Sequence, residues 1–460
     1  MKILKLIIKD YQQFKHLELD FTHPETGEPL DKICFIGRNA TGKSTILELL
    51  NRQLLSKSFP DNLFVFEILI KNNKYIIAHF RSHSIILPAS IKNFGNWLSF
   101  LQQKEFYVAY NEWFEGNDVE YSEEGIEFIK ECLSIGISYS VSLLQNNNSD
   151  LLIYCPPESP ENSYLFDDIP DISLNEAMEL FKYFSFSNEV SENTIKDFWR
   201  LLVFNIKNRE DLFKTFAENN DDKSYKYLKE AFNRENNDIL FEISRLWSKI
   251  LEKANLYFDY EHAKIPIQLT DNLKAYIRVK SNNEIVPYHK LSTGIRNFVF
   301  KIGHIYSLYF NRKIERGFLL VDEPENSLFP DFLYDLIDEV YCKIIENQNT
   351  QFFVSTHNPI IAAQFEPYER IILDFDDEGF VFAKKGTVPV GDDPNDILFK
   401  DFGMRSLLTL KGQEKYKRFL QLEELVKNET DAKKRIELMK EYLQIGTDYN
   451  FAENEILTKE

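Results

Sequence analysis

Gly37-Arg38-Asn39-Ala40-Thr41-Gly42-Lys43-Ser44-Thr45 is the stretch whose residue types and spacing most directly imply chemistry. The pattern G-x-x-x-x-G-K-[ST] lets a backbone wrap closely around an anion, with successive N–H groups and a helix N-terminus aimed at it. Lys43 is long enough to reach the β- and γ-phosphates of a nucleoside triphosphate, and the Ser44 hydroxyl is a natural ligand for Mg²⁺. A chance glycine-lysine match in a surface turn would mean nothing of the kind, so the flanks decide. Ile33-Cys34-Phe35-Ile36 before the loop reads as a buried strand, while Ile46, Leu47, Leu49, Leu50 and Leu54 after it recur at helical spacing. Strand, glycine-bearing loop and helix form the context in which this pattern cradles phosphate.

Two further candidates stand at strand ends. Phe318-Leu319-Leu320-Val321 runs into Asp322-Glu323. A carboxylate there can hold Mg²⁺ beside bound phosphates, and Glu323 can polarise an attacking water as general base. Phe352-Phe353-Val354-Ser355 runs into Thr356-His357, which puts His357 at the sheet edge where α/β folds bind ligands. Alone, either could be ordinary: a helix start in one case, a structural histidine in the other.

The elements that must position these residues follow from periodicity. Strands are expected at 2–9 and 14–21 around an Asp10–Gln13 turn, and a hairpin at 63–70 and 74–80 that 84–87 could extend. Leu151 to Tyr154 reads as a buried strand ended by Pro156-Pro157. Residues 92–150 have no clear pattern. Helices are expected at 173–184, 191–218 and 224–256, then strands at 265–269, 275–279 and 285–288. Leu291-Ser292-Thr293-Gly294 opens a helix with Ile295, Phe298, Val299, Ile302, Ile305 and Leu308 on its apolar side. A helix over about 331–346 links the two fully apolar strands, which argues that they lie parallel and adjacent in one sheet. Charged amphipathic helices fill about 411–445.

Bulk properties exclude several classes. The 460 residues allow two or three domains, and 43% apolar content supports a real core. Net charge is 54 − 73 = −19, so no global basic field gathers nucleic acid. Cys34, Cys132, Cys155 and Cys342 are scattered, which favours free thiols in a reducing cytoplasm over disulfides or zinc. No stretch is long and apolar enough to span a bilayer, and the N-terminus lacks the features of a signal peptide. Asp374-Phe375-Asp376-Asp377-Glu378-Gly379 offers a nuclease-like D-x-D, but between two short strands it reads better as a hairpin turn.

Taken together, these motifs resemble the ABC-type ATPases, specifically the SMC/RecF-like branch. Gly37 to Thr45 matches the Walker A motif, Leu291 to Gly294 the signature, Leu319 to Glu323 Walker B, Glu325-Asn326-Ser327-Leu328 the D-loop, and His357 the switch histidine. The resemblance implies an α/β P-loop ATPase head, with a mixed central sheet, an antiparallel β layer and an inserted helical domain. It implies an N-terminal lobe over 1–165, a helical insertion over 166–258, a C-terminal lobe over 259–390 and a helical tail over 391–460. It also implies ATP and Mg²⁺ as cofactors, with Ser44 and Asp322 as metal ligands and Glu323 and His357 as catalytic residues. In such proteins two heads sandwich two nucleotides, so Ser292, Thr293 and Gly294 would meet the γ-phosphate of a second copy in a homodimer or larger even oligomer. Ala40 occupies a position where the family has a second loop glycine, which implies a stiffer loop. Pro156-Pro157-Glu158 stands about where a Q-loop belongs but carries no glutamine. The run Asp322 to Pro330 also resembles the D-E-P-E-x-x-L-x-P of stand-alone ATPases in bacterial anti-phage systems, such as the OLD family, Septu PtuA and PARIS AriA. That implies a cytoplasmic sensor or scaffold controlling a separate effector protein. A RecF/SMC-like ATPase binding DNA directly is the alternative, and a non-hydrolysing assembly platform a third reading.

Overall fold

The computed structural model describes residues 2–54, 63–70, 73–80, 83–88, 150–157, 187–191, 194–260, 277–287, 290–312, 316–346, 349–391 and 393–451. The patternless stretch 92–150, save Asp150, and the expectations of a helix at 173–184 and a strand at 265–269 lie outside the described residues, as do Cys132 and Glu158. By contact density the chain divides into two units, Met1–Gly391 and Asp392–Glu460.

The first unit is built on a seven-stranded sheet ordered β14-β13-β3-β12-β11-β7-β8. Its strands are β3 (Lys32–Gly37), β7 (Asp150–Cys155), β8 (Ser187–Glu189), β11 (Arg316–Asp322), β12 (Asn349–Ser355), β13 (Arg370–Phe375) and β14 (Val381–Lys385). Only β14 runs antiparallel to its neighbour. The parallel strands are unbroken apolar runs because both faces are covered: Ile33 to Ile36, Phe318 to Val321 and Phe352 to Val354 are fully buried. As expected, β11 and β12 are parallel neighbours, in register at Asp322 and Ser355.

A five-stranded antiparallel sheet, ordered β2-β1-β4-β5-β6, holds β1 (Lys2–Tyr11), β2 (Phe14–Asp20), β4 (Leu63–Ile70), β5 (Asn73–Phe80) and β6 (His83–Pro88). Along β2, buried Phe14, Leu17 and Leu19 are separated by exposed residues, the mark of a strand with one dry face. That dry face joins a common core with Phe35, Leu320 and Phe353 of the parallel sheet and with Ile46, Leu47 and Leu50 of α1 (Lys43–Leu54). Phe21 meets Phe353 edge to face at 5.3 Å. Gln351, fully buried, stitches the two sheets: its Nε2 donates to Ile3 O and Leu30 O, and its Oε1 accepts from Ile3 N at 2.7 Å.

Helices α2 (Ile195–Glu218), α3 (Tyr225–Glu235) and α4 (Ile239–Leu251) precede a small antiparallel pair, β9 (Leu256–Phe258) and β10 (Ile277–Val279). The periodicity from 224 to 256 predicts one helix, yet the chain breaks at Asn236–Asp238 and ends in β9. The apolar face continues across the break, but Asp238 prefers to cap: its carboxylate accepts from Leu240 N and Phe241 N. Phe198 of α2 and Trp247 of α4 close around Gly303 of α5 (Thr293–Arg312), and the Trp247 indole donates to Val299 O at 2.9 Å. Between the helices expected at 173–184 and 191–218, Ser187–Glu189 form the edge strand β8 beside β7, a strand the sequence reading did not foresee.

The helix expected over 331–346 is also interrupted, into α6 (Pro330–Leu333), a π-helical turn (Leu336–Tyr341) and α7 (Cys342–Ile345). The cause is an inserted side chain. Gln364 Nε2 donates to Leu333 O while its Oε1 accepts from Ile337 N, taking the place of a normal ladder bond.

The second unit holds α9 (Pro394–Lys400) and a hairpin of α10 (Leu410–Asn428) and α11 (Ala432–Tyr449), numbered after α8 (Pro359–Ala362) of the first unit. Phe419, Leu422, Ile445 and Phe451 form the hairpin's core, with Phe419 stacked on Tyr442 at 4.4 Å. No described helix is long and apolar enough to cross a membrane.

Candidate functional site

The phosphate-loop residues leave the carboxyl end of β3 in a backbone that glycine largely dictates. Gly37 has φ +140°, and a Cβ there would lie 2.1 Å from Leu373 O, so only glycine lets β3 pass β13. Gly42, at φ +89°, lies under Gln13 and Phe14. Between them Ala40 holds φ +65°, a left-handed position reached without glycine's freedom. The buried Thr41 hydroxyl donates to Arg38 O at 2.8 Å, while Arg38, Asn39, Ala40 and Ser44 are exposed and Thr45 half-buried at the start of α1. The exposed Arg38 guanidinium lies 3.6 Å from Asp374.

Lys43 is buried, and its ammonium donates to Gly37 O at 3.0 Å and Arg38 O at 2.9 Å. Burial lowers its pKa to about 8, against the pull of Glu323, Asp322 and Glu325. Those three carboxylates therefore share a neighbourhood with the loop, although they arrive from β11, two strands away in the sheet.

Asp322 ends β11 fully buried. Its Oδ1 accepts from the Ser355 hydroxyl across the β11–β12 register, while Oδ2 is buried with no partner. A buried carboxylate oxygen left unbonded is costly unless something else satisfies it. Glu323 follows at φ +47°, its amide donating to Ser355 O at 3.0 Å. Burial and then Asp322 push its carboxyl above the ordinary range, with Lys43 and Lys301 opposing. His357 Nε2 lies 3.6 Å from Glu323 Oε1. Burial, and then the Lys43 charge, lower the imidazole pKa, so the ring is neutral at neutral pH.

Lys43, Asp322, Glu323 and His357 thus come together at the carboxyl edge of β3, β11 and β12. Ser292, Thr293 and Gly294 bond elsewhere. Exposed Ser292 caps α5 loosely, accepting from Ile295 N at 3.4 Å, and Arg296 donates to Thr293 Oγ1. Gly294 is pressed so closely on Ser327 that a Cβ would sit 2.0 Å from its carbonyl oxygen.

Sequence reasoning placed Glu325 in the D-loop without giving it a role. It is a largely buried carboxyl whose Oε1 accepts from Thr356 Oγ1 and, at 3.1 Å, from His357 N. The available signal was a second glutamate three residues past the strand-end aspartate. The turn after β7 is likewise anchored, Pro156 O accepting from Lys301 and Pro157 O from Asn326, each at 2.8 Å. Asp376 sits in a hairpin turn as expected, its carboxylate accepting from Glu378 N and Phe380 N. Among the described residues no three His, Cys, Asp or Glu side chains gather as a metal site.

In class this is a P-loop α/β protein, its phosphate loop and strand-end carboxylates meeting at one edge of a parallel sheet. The sequence profile of the AAA ATPase domain matches residues 1–362, and the chain belongs to that family of ATPases. No curated protein matches the chain in sequence. Among solved structures it is similar to the SMC head domain from Thermotoga maritima, at 12% identity and TM-score 0.38 over 84% of this chain and 100% of that one. It is similar also to the Smc head domain with an extended coiled coil bound to the C-terminal domain of ScpA from Pyrococcus furiosus, at 13% identity and TM-score 0.36 over 84% and 96%. A third is cbiO1 from Clostridium perfringens, part of the ABC transporter complex cbiONQ, at 11% identity and TM-score 0.28 over 86% and 91%.

Proposed function

We propose that this ATPase is an ABC-type switch, in which ATP draws two copies head to head and hydrolysis releases them. The observation that carries the hydrolytic part is the meeting of Lys43, Asp322, Glu323 and His357, with Asp322 Oδ2 buried and unpartnered. That oxygen and the exposed Ser44 hydroxyl fit a Mg²⁺ ion, a metal that needs few protein ligands when phosphates and waters complete its shell. When bound, Mg²⁺ supplies neutralisation of the charge on the β- and γ-oxygens. Lys43 exchanges its bonds to Gly37 O and Arg38 O for phosphate oxygens, and the loop N–H groups hold the rest of the triphosphate. Glu323 accepts the proton of the attacking water, its raised pKa making it a better base than an exposed carboxylate. Neutral His357, beside Glu323, orients that water and the γ-phosphate.

The pairing of heads is supported by the exposed Ser292 at the N-terminus of α5, a ready anion site for a second copy's γ-phosphate. Phe329 and Tyr334, 66% and 55% exposed just past the D-loop, add aromatic surface of the kind interfaces use. The resemblance of Asp322 to Pro330 to anti-phage ATPases extends the reading to a cytoplasmic sensor or scaffold that controls a separate effector.

Mass measurement in solution tests this, using wild type and Glu323→Gln with Mg²⁺ and ATP, alone and with the neighbouring gene's product. The variant is expected to bind ATP, lose turnover by about 10²–10⁴-fold and persist as a pair or larger even assembly that captures the neighbour. Assembly indifferent to nucleotide and to Glu323 would refute the switch. Salt-sensitive capture of duplex DNA instead would favour direct DNA binding.

A further inference from the structure

The turn that follows β11 touches three other parts of the molecule at once. Asn326 reaches the turn after β7, and Ser327, itself left-handed at φ +64°, bears on Gly294 at the start of α5. Glu325 points the other way, into the loop after β12. Its Oε1 accepts from both Thr356 Oγ1 and His357 N, and its Oε2 is buried without a partner. Thr356 is fully buried, its amide tied to Phe35 O and its hydroxyl also accepting from Asn358 N. From this loop the His357 ring reaches Glu323, its Nε2 lying 3.6 Å from the Glu323 carboxylate.

A carboxyl is an expensive way to hold two donors in a buried place. Burial pushes the Glu325 pKa up to about 7, and a neutral acceptor would carry less desolvation cost, but a serine or asparagine is shorter. Its length is what distinguishes it, because it spans from the D-loop to the main chain of His357.

We propose that Glu325 is a positioning residue that fixes the main chain of His357, so that the D-loop turn and the start of α5 govern how His357 faces Glu323. The inference rests on the reading of Glu323 and His357 as hydrolytic residues. Through it, whatever displaces Ser327 or the Ser292–Gly294 segment moves the water-orienting ring by way of one carboxyl. No direct contact between α5 and the phosphate loop is needed.

The test measures steady-state and single-turnover ATP hydrolysis, fluorescent ATP-analogue affinity and melting temperature for full-length Glu325→Ala, Glu325→Gln and Thr356→Val. Glu325→Ala is expected to lower kcat about 10–100-fold, the scale of an ångström-sized misplacement, with analogue affinity within about 2-fold. Glu325→Gln keeps an acceptor at Oε1 and restores most of the loss, and Thr356→Val, which removes one of the two bonds, falls between. In a His357→Ala background Glu325→Ala costs little more, because it acts through His357. An undiminished loss in that background overturns the proposal, as does a fall in affinity and melting temperature that matches the fall in kcat. Should Glu325→Ala not fold, the Gln and Val variants carry the same comparison, and wild-type kcat in Thr356→Val sinks it. Normal turnover in Glu323→Gln would instead overturn the hydrolytic reading itself, whereas an inactive Glu323→Gln beside a fully active Glu325→Ala overturns this inference alone.

Discussion

Ala40→Gly is expected to stabilise the protein, contrary to the usual effect of adding a glycine. Ala40 sits at φ +65° in the exposed crest of the phosphate loop. A left-handed conformation costs a residue with a Cβ about 1–2 kcal/mol, and glycine escapes that cost. Against it, glycine loses more chain entropy on folding, about 0.5–1 kcal/mol. The difference leaves the substitution stabilising by about 0.5–1 kcal/mol, read as a rise of roughly 0.5–1 °C in melting temperature for a unit of this size. Urea unfolding of the ligand-free protein gives the free energy directly, with an unchanged denaturant slope as the check that the surface exposed on unfolding is the same. Ala231→Gly, inside α3, is the control and should cost about 1 kcal/mol. If Ala40→Gly destabilises by as much as the control, the left-handed strain is not borne by Ala40, and the argument fails.

Two other outcomes follow from the buried helices. Gly303→Ala would place a Cβ 2.8 Å from Phe198 and 2.9 Å from Trp247, two rings with no room to retreat. The clash should cost about 1–3 kcal/mol in urea unfolding, and no measurable change would mean that α2 and α4 do not pack on α5 as described. His304 is buried between Phe198 and Phe300, and burial holds its pKa down to about 3 from 6.5. A base with a depressed folded pKa gives stability that is complete above about pH 6.5 and is lost as pH falls toward 3. Between pH 6.5 and about 5 the loss attributable to this ring is about 2 kcal/mol. His304→Gln should flatten the stability–pH curve by that amount over the window, and an identical slope in variant and wild type counts against the buried neutral imidazole.

What could be read from the sequence was whatever depends on burial along a strand or on residue type at a fixed spacing. The runs Ile33–Ile36, Phe318–Val321 and Phe352–Val354 are legible because these stretches, covered on both faces, have no polar positions to confuse the pattern. Gly37 and Gly42 are legible because their backbone demands glycine. The break at Asn236–Asp238 was not, since the apolar face of α3 resumes in α4 and periodicity cannot see a cap that wins locally. The π-helical turn was equally hidden, because its cause, Gln364, lies well beyond it in sequence. β8 is three polar residues at a sheet edge, too short to alternate. In the candidate site, residue types at the strand ends suggested Asp322, Glu323 and His357, but the direction in which Glu325 points is a property of the turn. Nothing in the order of letters distinguishes a glutamate facing water from one holding the main chain of His357.

The position of β3 has a consequence for how the molecule is made. In the sheet its two neighbours are β12 and β13, at 349–355 and 370–375, while β3 itself ends at residue 37. Gln351, which ties β12 to β1, is also supplied only late. During translation the phosphate-loop strand therefore leaves the ribosome with both edges open, and they stay open until nearly the whole first unit has been synthesised. Long-range parallel pairing of this sort is slow and exposes apolar strands to wrong partners in the meantime. The antiparallel hairpins of the N-terminal half can close early, but the pairing of β3 cannot. The segment from Gly37 to Thr45 is thus made more than 300 residues before the two strands that flank β3, and its parent strand takes its final place only when synthesis of the unit is nearly finished.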